Sequence, residues 1–296
     1  MQINKLKSMV ALFLTVIFWG LAYPTVSNVL HLGVSIGVLN ILRFGSATLV
    51  LLPFFIKDLL KIKKQEFIFG LLCGIVLFFG FLFGSLALKE ENAPGISALI
   101  VGTGIFVVPL LAYLIHKIKP TRLSVLGVVI SFLGIVLFSY SGNFEFNINL
   151  STLYSFLAAI CFGSHIFILA TYIKDFNVKV ISVVQVFVVF VLFLIFSLIF
   201  MPNTLSFNLE PIIWLQILFL GVFGAALAYL FQTYASKHLS SNTCNIILNM
   251  EALFAVIFSI IFGLENITIY YILGAIFMLS GITLAITQEN KNSNKT

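Results

Sequence analysis

Residues 67–88 read FIFGLLCGIVLFFGFLFGSLAL, 22 positions without one charge. At 1.5 Å per residue a helix of that length is about 33 Å long, enough to cross a hydrocarbon core of about 30 Å. Lys57, Lys61, Lys63 and Lys64 stand before the run and Lys89 directly after it, so charge stops where a bilayer would begin. Working outward from this run, the same test marks ten spans: 8–30, 34–56, 67–88, 95–115, 123–140, 151–172, 180–201, 212–234, 243–263 and 269–287. The composition agrees. Of 296 residues 61% are hydrophobic and 9% charged, with a mean hydropathy of +1.16, whereas a soluble domain spends roughly a quarter of its residues on charge. A nucleic-acid-binding or soluble catalytic domain is thereby excluded, and the lipid bilayer is the chain's first partner.

The net charge of +6 is a topology signal. When loops are sorted to alternate sides, one side collects Lys5, Lys7, Lys57, Lys61, Lys63, Lys64, Lys117, Lys119, Arg122, Lys174, Lys179, Lys237, Lys291 and Lys295, and the other only Lys89. Arg43 is left inside a span. Glu90, Glu91, Glu145, Glu210 and Glu265 fall on the lysine-poor side. Both termini are therefore expected in the cytoplasm. Span 1 follows two lysines as a signal peptide would, but its apolar run continues through Trp19 and Tyr23 to Leu30 without a small-residue cleavage pattern, too long for a signal core. Residues 288–296 are polar and read as a short disordered cytoplasmic tail.

Ten spans divide into five and five, and an odd number per half makes the second half enter the membrane from the opposite side, an inverted repeat. The halves are residues 1–141 and 150–287. Phe18-Trp19-Gly20 in span 1 resembles Cys161-Phe162-Gly163 in span 6. Gly127 and Gly134 in span 5 match Gly274 and Gly281 in span 10, each pair seven residues apart. Seven residues are about two turns, so each pair faces one side and admits a neighbouring helix closely.

At this point the chain resembles the EamA family of the drug/metabolite transporter superfamily. The resemblance rests on Phe18-Trp19-Gly20, Leu42-Arg43-Phe44, the run from Val107 to Leu114, Lys119-Pro120, Gly221 to Tyr229, Gln232-Thr233-Tyr234-Ala235, Met250 to Ala255, and Gly263-Leu264-Glu265 before Gly274. It covers nearly the whole chain. It implies an all-α integral membrane fold of ten transmembrane helices in two inverted five-helix repeats, in a bacterial inner (plasma) membrane, carrying a small metabolite. Similar proteins usually have Pro where Ala252 stands after the span 9 glutamate, and often an acidic residue where Ile118 stands. The first departure predicts a straighter span 9.

Two charged side chains lie within spans, Arg43 and Glu251, and charge in hydrocarbon costs a few kcal/mol or more, about 3 on insertion scales, unless paired or hydrated. Their depths, about 14 and about 12 Å from opposite ends at 1.5 Å per residue, let them form a permanent ion pair or face one midplane cavity. In the second reading Arg43 holds an anionic substrate group and Glu251 takes a proton or a substrate amine. Gln185 occupies the repeat position of Arg43 and reads either as a substrate hydrogen bond or as interhelical glue. His165 could carry protons or be a satisfied buried residue. Trp19 and Tyr23, one turn apart beside the helix-kinking Pro24, could wall a cavity. Asn242, Asn245 and Asn249 share a stripe about 200° away from Glu251, so in a straight helix both cannot face one cavity. The favoured assignment puts the asparagines in interhelical hydrogen bonds and Glu251 on the pathway.

Other motifs carry less. Ser164-His165 lacks the strained elbow of a serine hydrolase, and Gly102-Thr103-Gly104 has no lysine after it and no strand before it. Topology explains the lysines from Lys57 to Lys64 without lipid recognition. Cys73, Cys161 and Cys244 have no metal-ligand spacing, so no metal or cofactor is expected. The function expected is secondary transport by alternating access of small polar metabolites such as amino acids or their derivatives, without enzymatic activity, with protons as a candidate coupling ion and export the commoner direction among similar proteins. The rivals are an intramembrane enzyme of lipid or polyprenyl metabolism and a passive channel. Oligomeric state is not encoded in any feature of the sequence.

Overall fold

The computed structural model describes residues 2–90, 94–117, 119, 121–139, 150–264 and 267–293, and every regular element among them is helical. The helices are α1 (Gln2–His31), α2 (Ile36–Leu59), α3 (Lys64–Lys89), α4 (Pro94–Gly102), α5 (Val107–His116), α6 (Arg122–Ser139), α7 (Leu150–Tyr172), α8 (Val178–Phe200), α9 (Pro211–Gly221), α10 (Ala228–His238), α11 (Ser241–Leu248), α12 (Glu251–Ile261) and α13 (Ile269–Ser293). Seven helical stretches among the described residues are long and apolar enough to cross a membrane: Ile3–His31, Ile36–Leu59, Lys64–Lys89, Leu150–Asp175, Val178–Phe200, Pro211–His238 and Ser241–Ile261. Shorter apolar helices, Ile100–His116, Val125–Gly134 and Ile269–Gly281, stand where spans 4, 5 and 10 are expected. Glu91, Ile118, Pro120, Glu145, Glu265 and Lys295 lie outside the described residues.

Local chemistry sets the helix ends. Ser35 Oγ accepts from the Val38 N–H at 3.2 Å, Asn177 Oδ1 from the Lys179 N–H at 3.0 Å, and Ser240 Oγ from the Thr243 N–H at 3.2 Å, each satisfying an orphan donor of a first turn. After α12 the chain reverses at Gly263, with φ +71°, where a side chain would be strained. The apolar residues divide between a buried interior and an outer surface that leaves Phe54, Leu49 and Phe200 about 70% exposed or more (77%, 71% and 69%), as lipid contact requires. The largest core cluster joins α1, α2, α3, α8, α9 and α10 through Val29, Leu39, Phe44, Phe193, Leu220 and Tyr229.

Helix pairing has an internal regularity. α3 lies against α7 as α10 lies against α1; α3 against α8 as α9 against α2; α4 and α5 against α7 as α11 and α12 against α1. The pairs α2·α8 and α6·α13 map onto themselves, and α4·α12 onto α5·α11, when each element is exchanged with its counterpart in the other half. Small residues make these contacts close. A Cβ on Gly134 would stand 2.7 Å from the Gly274 carbonyl oxygen, and one on Gly281 would collide with the Gly127 carbonyl oxygen, so α6 and α13 meet through the two glycine pairs. Gly20 is pressed against the Phe254 and Ala255 backbone of α12, and Gly163 against Val107 and the Gly104 carbonyl.

Two expectations are corrected. The last helix continues to Ser293 rather than giving way to disorder at 288, because Gln288, Glu289 and Lys291 are good helix formers with no Gly or Pro among them. Span 9 is broken, not straight: α11 ends at Leu248 and α12 begins at Glu251. The Asn249 amide donates to the Asn245 carbonyl at 2.8 Å, and the Met250 N–H turns to the Ile247 carbonyl at 3.0 Å. Side-chain competition of this kind tightens a helical turn without proline. Span 4 is interrupted too, by a 3₁₀ turn at Thr103–Phe106 between α4 and α5.

Candidate functional site

These breaks meet near the middle of the molecule. Asn245 Nδ2 donates to the Ile105 carbonyl at 2.9 Å, tying α11 to the 3₁₀ turn of span 4, while Asn249 bonds back within its own helix. A third irregularity lies in the helix from Pro211 to His238, where Val222–Leu227 forms a π-helical segment between α9 and α10. A π segment leaves carbonyls off the regular ladder, and the Gly224 carbonyl accepts from two side chains: Trp19 Nε1 at 3.0 Å and Arg43 Nη2 at 3.4 Å.

A cavity of about 90 Å³ opens between these elements. By the rule that one water occupies about 10–15 Å³ of such space, it holds roughly six waters or a small solute. Of the residues singled out from sequence, Trp19, Tyr23, Arg43, His165, Asn249 and Glu251 all line it. Asn249 and Glu251 can share the wall because the break at Asn249–Met250 removes the fixed rotation of a continuous helix. Gln185 does not line the cavity; fully buried, it stands behind His165 and hydrogen-bonds it at 3.0 Å.

Arg43 and Glu251 face the same space without pairing: no ion pair within 4.0 Å joins them among the described residues. Arg43, 4% exposed, places its guanidinium 4.7 Å from the Phe81 ring centroid and 5.5 Å from that of Phe44, while its Nε has no partner among the described residues. Glu251 Oε1 accepts a long bond, 3.5 Å, from the Tyr23 hydroxyl. The walls are aromatic, with the Trp19 and Tyr229 rings 5.4 Å apart and Phe81 and Phe162 in edge contact. The site thus offers a guanidinium, a carboxyl group and apolar faces to a small solute.

Tyr229, Gln232 and Phe81 also line the cavity and were not singled out from sequence as site residues. Gln232 is 1% exposed and its Oε1 has no partner among the described residues. Polar spacing along span 8, with Tyr229, Gln232 and Thr233 within one turn, was the available signal.

The lysine-rich end is organised separately. Loops after α2, α7 and α10 meet there around Asp58, Lys61, Lys63, Glu66, Asn177, Lys179 and Lys237. Glu66 accepts from the Lys63 and Asn177 backbone N–H groups, both at 3.0 Å. Asn177 Nδ2 donates to Asp58 at 3.0 Å, Lys179 bridges to Asp58 at 3.3 Å, and Lys237 Nζ donates to the Phe176 carbonyl at 2.7 Å.

Comparison with known proteins places this geometry in context. The model of the EamA-like transporter family matches residues 6–140 and again 149–287. An uncharacterized transporter of Archaeoglobus fulgidus is 26% identical over 283 residues, covering 95% of this chain and 86% of that protein. The uncharacterized transporter YyaM of Bacillus subtilis is 24% identical over 251 residues, 82% of each. A solved crystal structure superposes with a TM-score of 0.77 at 15% identity, over 96% of this chain and 98% of that one, a likeness of fold.

Proposed function

The chain belongs to the EamA-like transporter family, a multi-pass membrane protein of transporter type, and from that footing we propose that it carries small polar metabolites, amino acids or their derivatives, by alternating access. Ten spans in two inverted five-helix halves, with both termini in the cytoplasm of a bacterial inner membrane, are the architecture of this reading. Its supports are the exchange-symmetric helix pairing, the convergence of lysine-bearing loops at one end and the broken spans 4 and 9 at corresponding places in the two halves. Discontinuous helices at matching positions are the usual way such halves build a midplane site.

One observation carries the substrate class: Arg43 from the first half and Glu251 from the second face one aromatic-walled cavity, with no ion pair to either among the described residues. Arg43 receives the substrate's carboxylate, and Glu251 its amine or the coupling proton. Export is the direction proposed. Uptake of labelled amino acids into proteoliposomes, with and without an imposed pH gradient, tests this for wild type and Glu251→Gln. Gradient-driven uptake lost in the variant, with exchange retained, supports a proton-coupled carrier using Glu251. A variant that couples normally refutes that role, and flux without saturable counterflow refutes a carrier altogether.

A further inference from the structure

His165 is 1% exposed on α7, and its Nε2 lies 3.0 Å from Gln185 Oε1 on α8. Gln185 Nε2 in turn donates to Thr233 Oγ1 at 3.0 Å, and Thr233 Oγ1 lies 2.6 Å from the Tyr229 carbonyl oxygen. The proton arrangement of this chain is set from its far end. A backbone carbonyl can only accept, so the Thr233 hydroxyl donates to it. That leaves the hydroxyl oxygen to accept from Gln185, which must present its NH₂ there. The Gln185 carbonyl oxygen then faces His165, and Nε2 has to carry a proton to meet it. In the neutral ring Nδ1 is consequently a bare acceptor, and no protein partner is present for it among the described residues.

The surroundings of that acceptor point to its use. His165 lines the cavity while Gln185 and Thr233 do not. Gln232 also lines the cavity and its Oε1 is buried without a donor among the described residues, where the Glu251 carboxyl group has one bond, 3.5 Å, from Tyr23. Acceptors from α7, α10 and α12 thus border one space, and a group with several N–H bonds satisfies them together. We propose that Gln185 and Thr233 are positioning residues that hold His165 as its Nε2–H tautomer, so that Nδ1 accepts a hydrogen bond from the ammonium group of an amine-bearing substrate. This rests on the transporter reading above for the ligand, but not for the tautomer. His165 then recognises the substrate instead of carrying its coupling proton.

Nitrogen NMR of protein labelled with ¹⁵N-histidine, in nanodiscs at pH 7, tests the tautomer without any substrate, since the chain has four histidines and His165→Gln identifies the signal. A protonated Nε2 with a bare Nδ1 is expected, becoming a mixture of tautomers in Gln185→Leu or Thr233→Val. A protonated Nδ1, a doubly protonated ring, or variants that keep the single tautomer overturns the proposal. Counterflow of L-leucine against its amine-free counterpart 4-methylpentanoate tests the ligand. Asparagine reaches only the Nδ1 position and glutamine only that of Nε2. His165→Asn is therefore expected to keep KM for leucine within about fivefold, and His165→Gln to raise it roughly 10- to 100-fold, the range for a hydrogen bond to a charged group. The reverse order, which a purely structural His165–Gln185 contact would give, overturns the inference. Wild-type protein that moves no amino acid refutes the parent reading and the ammonium ligand with it, while the nitrogen signals still decide the relay.

Discussion

Replacing Glu66 with alanine should loosen the lysine-rich end of the molecule, by an amount that can be worked from its bonds. The carboxylate, 7% exposed, accepts the Lys63 N–H at the start of α3 and the Asn177 N–H at the start of α8. One side chain therefore caps two helices belonging to different halves. Bonds to a charged group contribute about 1.5–3 kcal/mol each, and Lys63 sits beside exposed residues where water can replace its bond. The net loss is about 2–4 kcal/mol, which at 1.4 kcal/mol per decade is roughly 30- to 1,000-fold in the population of an opened end. Cys73 reports it. It is fully buried directly inside this cap with Phe69, Leu169, Ile173 and Ile181, and Phe69 stacks on Phe176 at 4.7 Å. In a background with Cys161 and Cys244 replaced by alanine, maleimide modification of Cys73 should accelerate by that factor in Glu66→Ala, since labelling follows the opening equilibrium when reclosing is fast. Asp58→Asn is the control. It removes a pair whose lysine is half exposed, and exposed ion pairs contribute little to stability, so labelling should rise less than about fivefold. Folded Glu66→Ala protein whose Cys73 reacts no faster than the control would refute the cap as the device joining the halves.

Three further outcomes follow from the interior. Replacing Arg43 and Glu251 together by methionine should raise thermal stability in detergent, because a buried guanidinium and a partly buried carboxyl group give way to apolar volume, a change worth about 1–4 kcal/mol, while transport is lost; a destabilised double variant would mean that the two groups support each other. Gly134→Leu should destabilise by about 1–3 kcal/mol or more, as overpacking does, because its Cβ meets the Gly274 carbonyl and the Met278 N–H at 2.7 and 2.8 Å, backbone atoms that cannot rotate away. A thermal scan on purified protein checks it. Asn245→Ala frees the Ile105 carbonyl and should cost about 0.6–2 kcal/mol, the range for interhelical hydrogen bonds in membranes, read as a lowered unfolding midpoint with the cavity's substrate affinity falling alongside.

What sequence reading captures here is depth and periodicity. Apolar run length locates the helices, and glycines seven residues apart mark faces that the structure brings together as α6 and α13. Rarity of charge picks out Arg43 and Glu251, and both line the cavity. Lateral geometry is another matter. Equal depth made an ion pair conceivable, but depth says nothing of the angle at which two helices present their side chains. Here Arg43 turns to Phe81 and the Gly224 carbonyl, a group no residue pattern would nominate because a π segment alone makes it available.

The span 9 asparagines show the same limit more sharply. Their stripe excluded Glu251 only on the premise of a continuous helix, and Ala252 in place of proline strengthened that premise. Yet the asparagines themselves undo it: Asn249 spends its amide on the Asn245 carbonyl, the turn tightens, and the rotation separating Asn249 from Glu251 is no longer that of an α-helix. A polar side chain inside a span is therefore more than a candidate contact. In a bilayer, where no water competes for a freed carbonyl, it also reshapes its own helix. Asn245 then spends its donor on the broken turn of span 4, so the irregularity in one half is stabilised by that in the other. The cavity lies where both irregularities meet, and Asn249 and Glu251 share its wall where a continuous span 9 would have turned them to different sides.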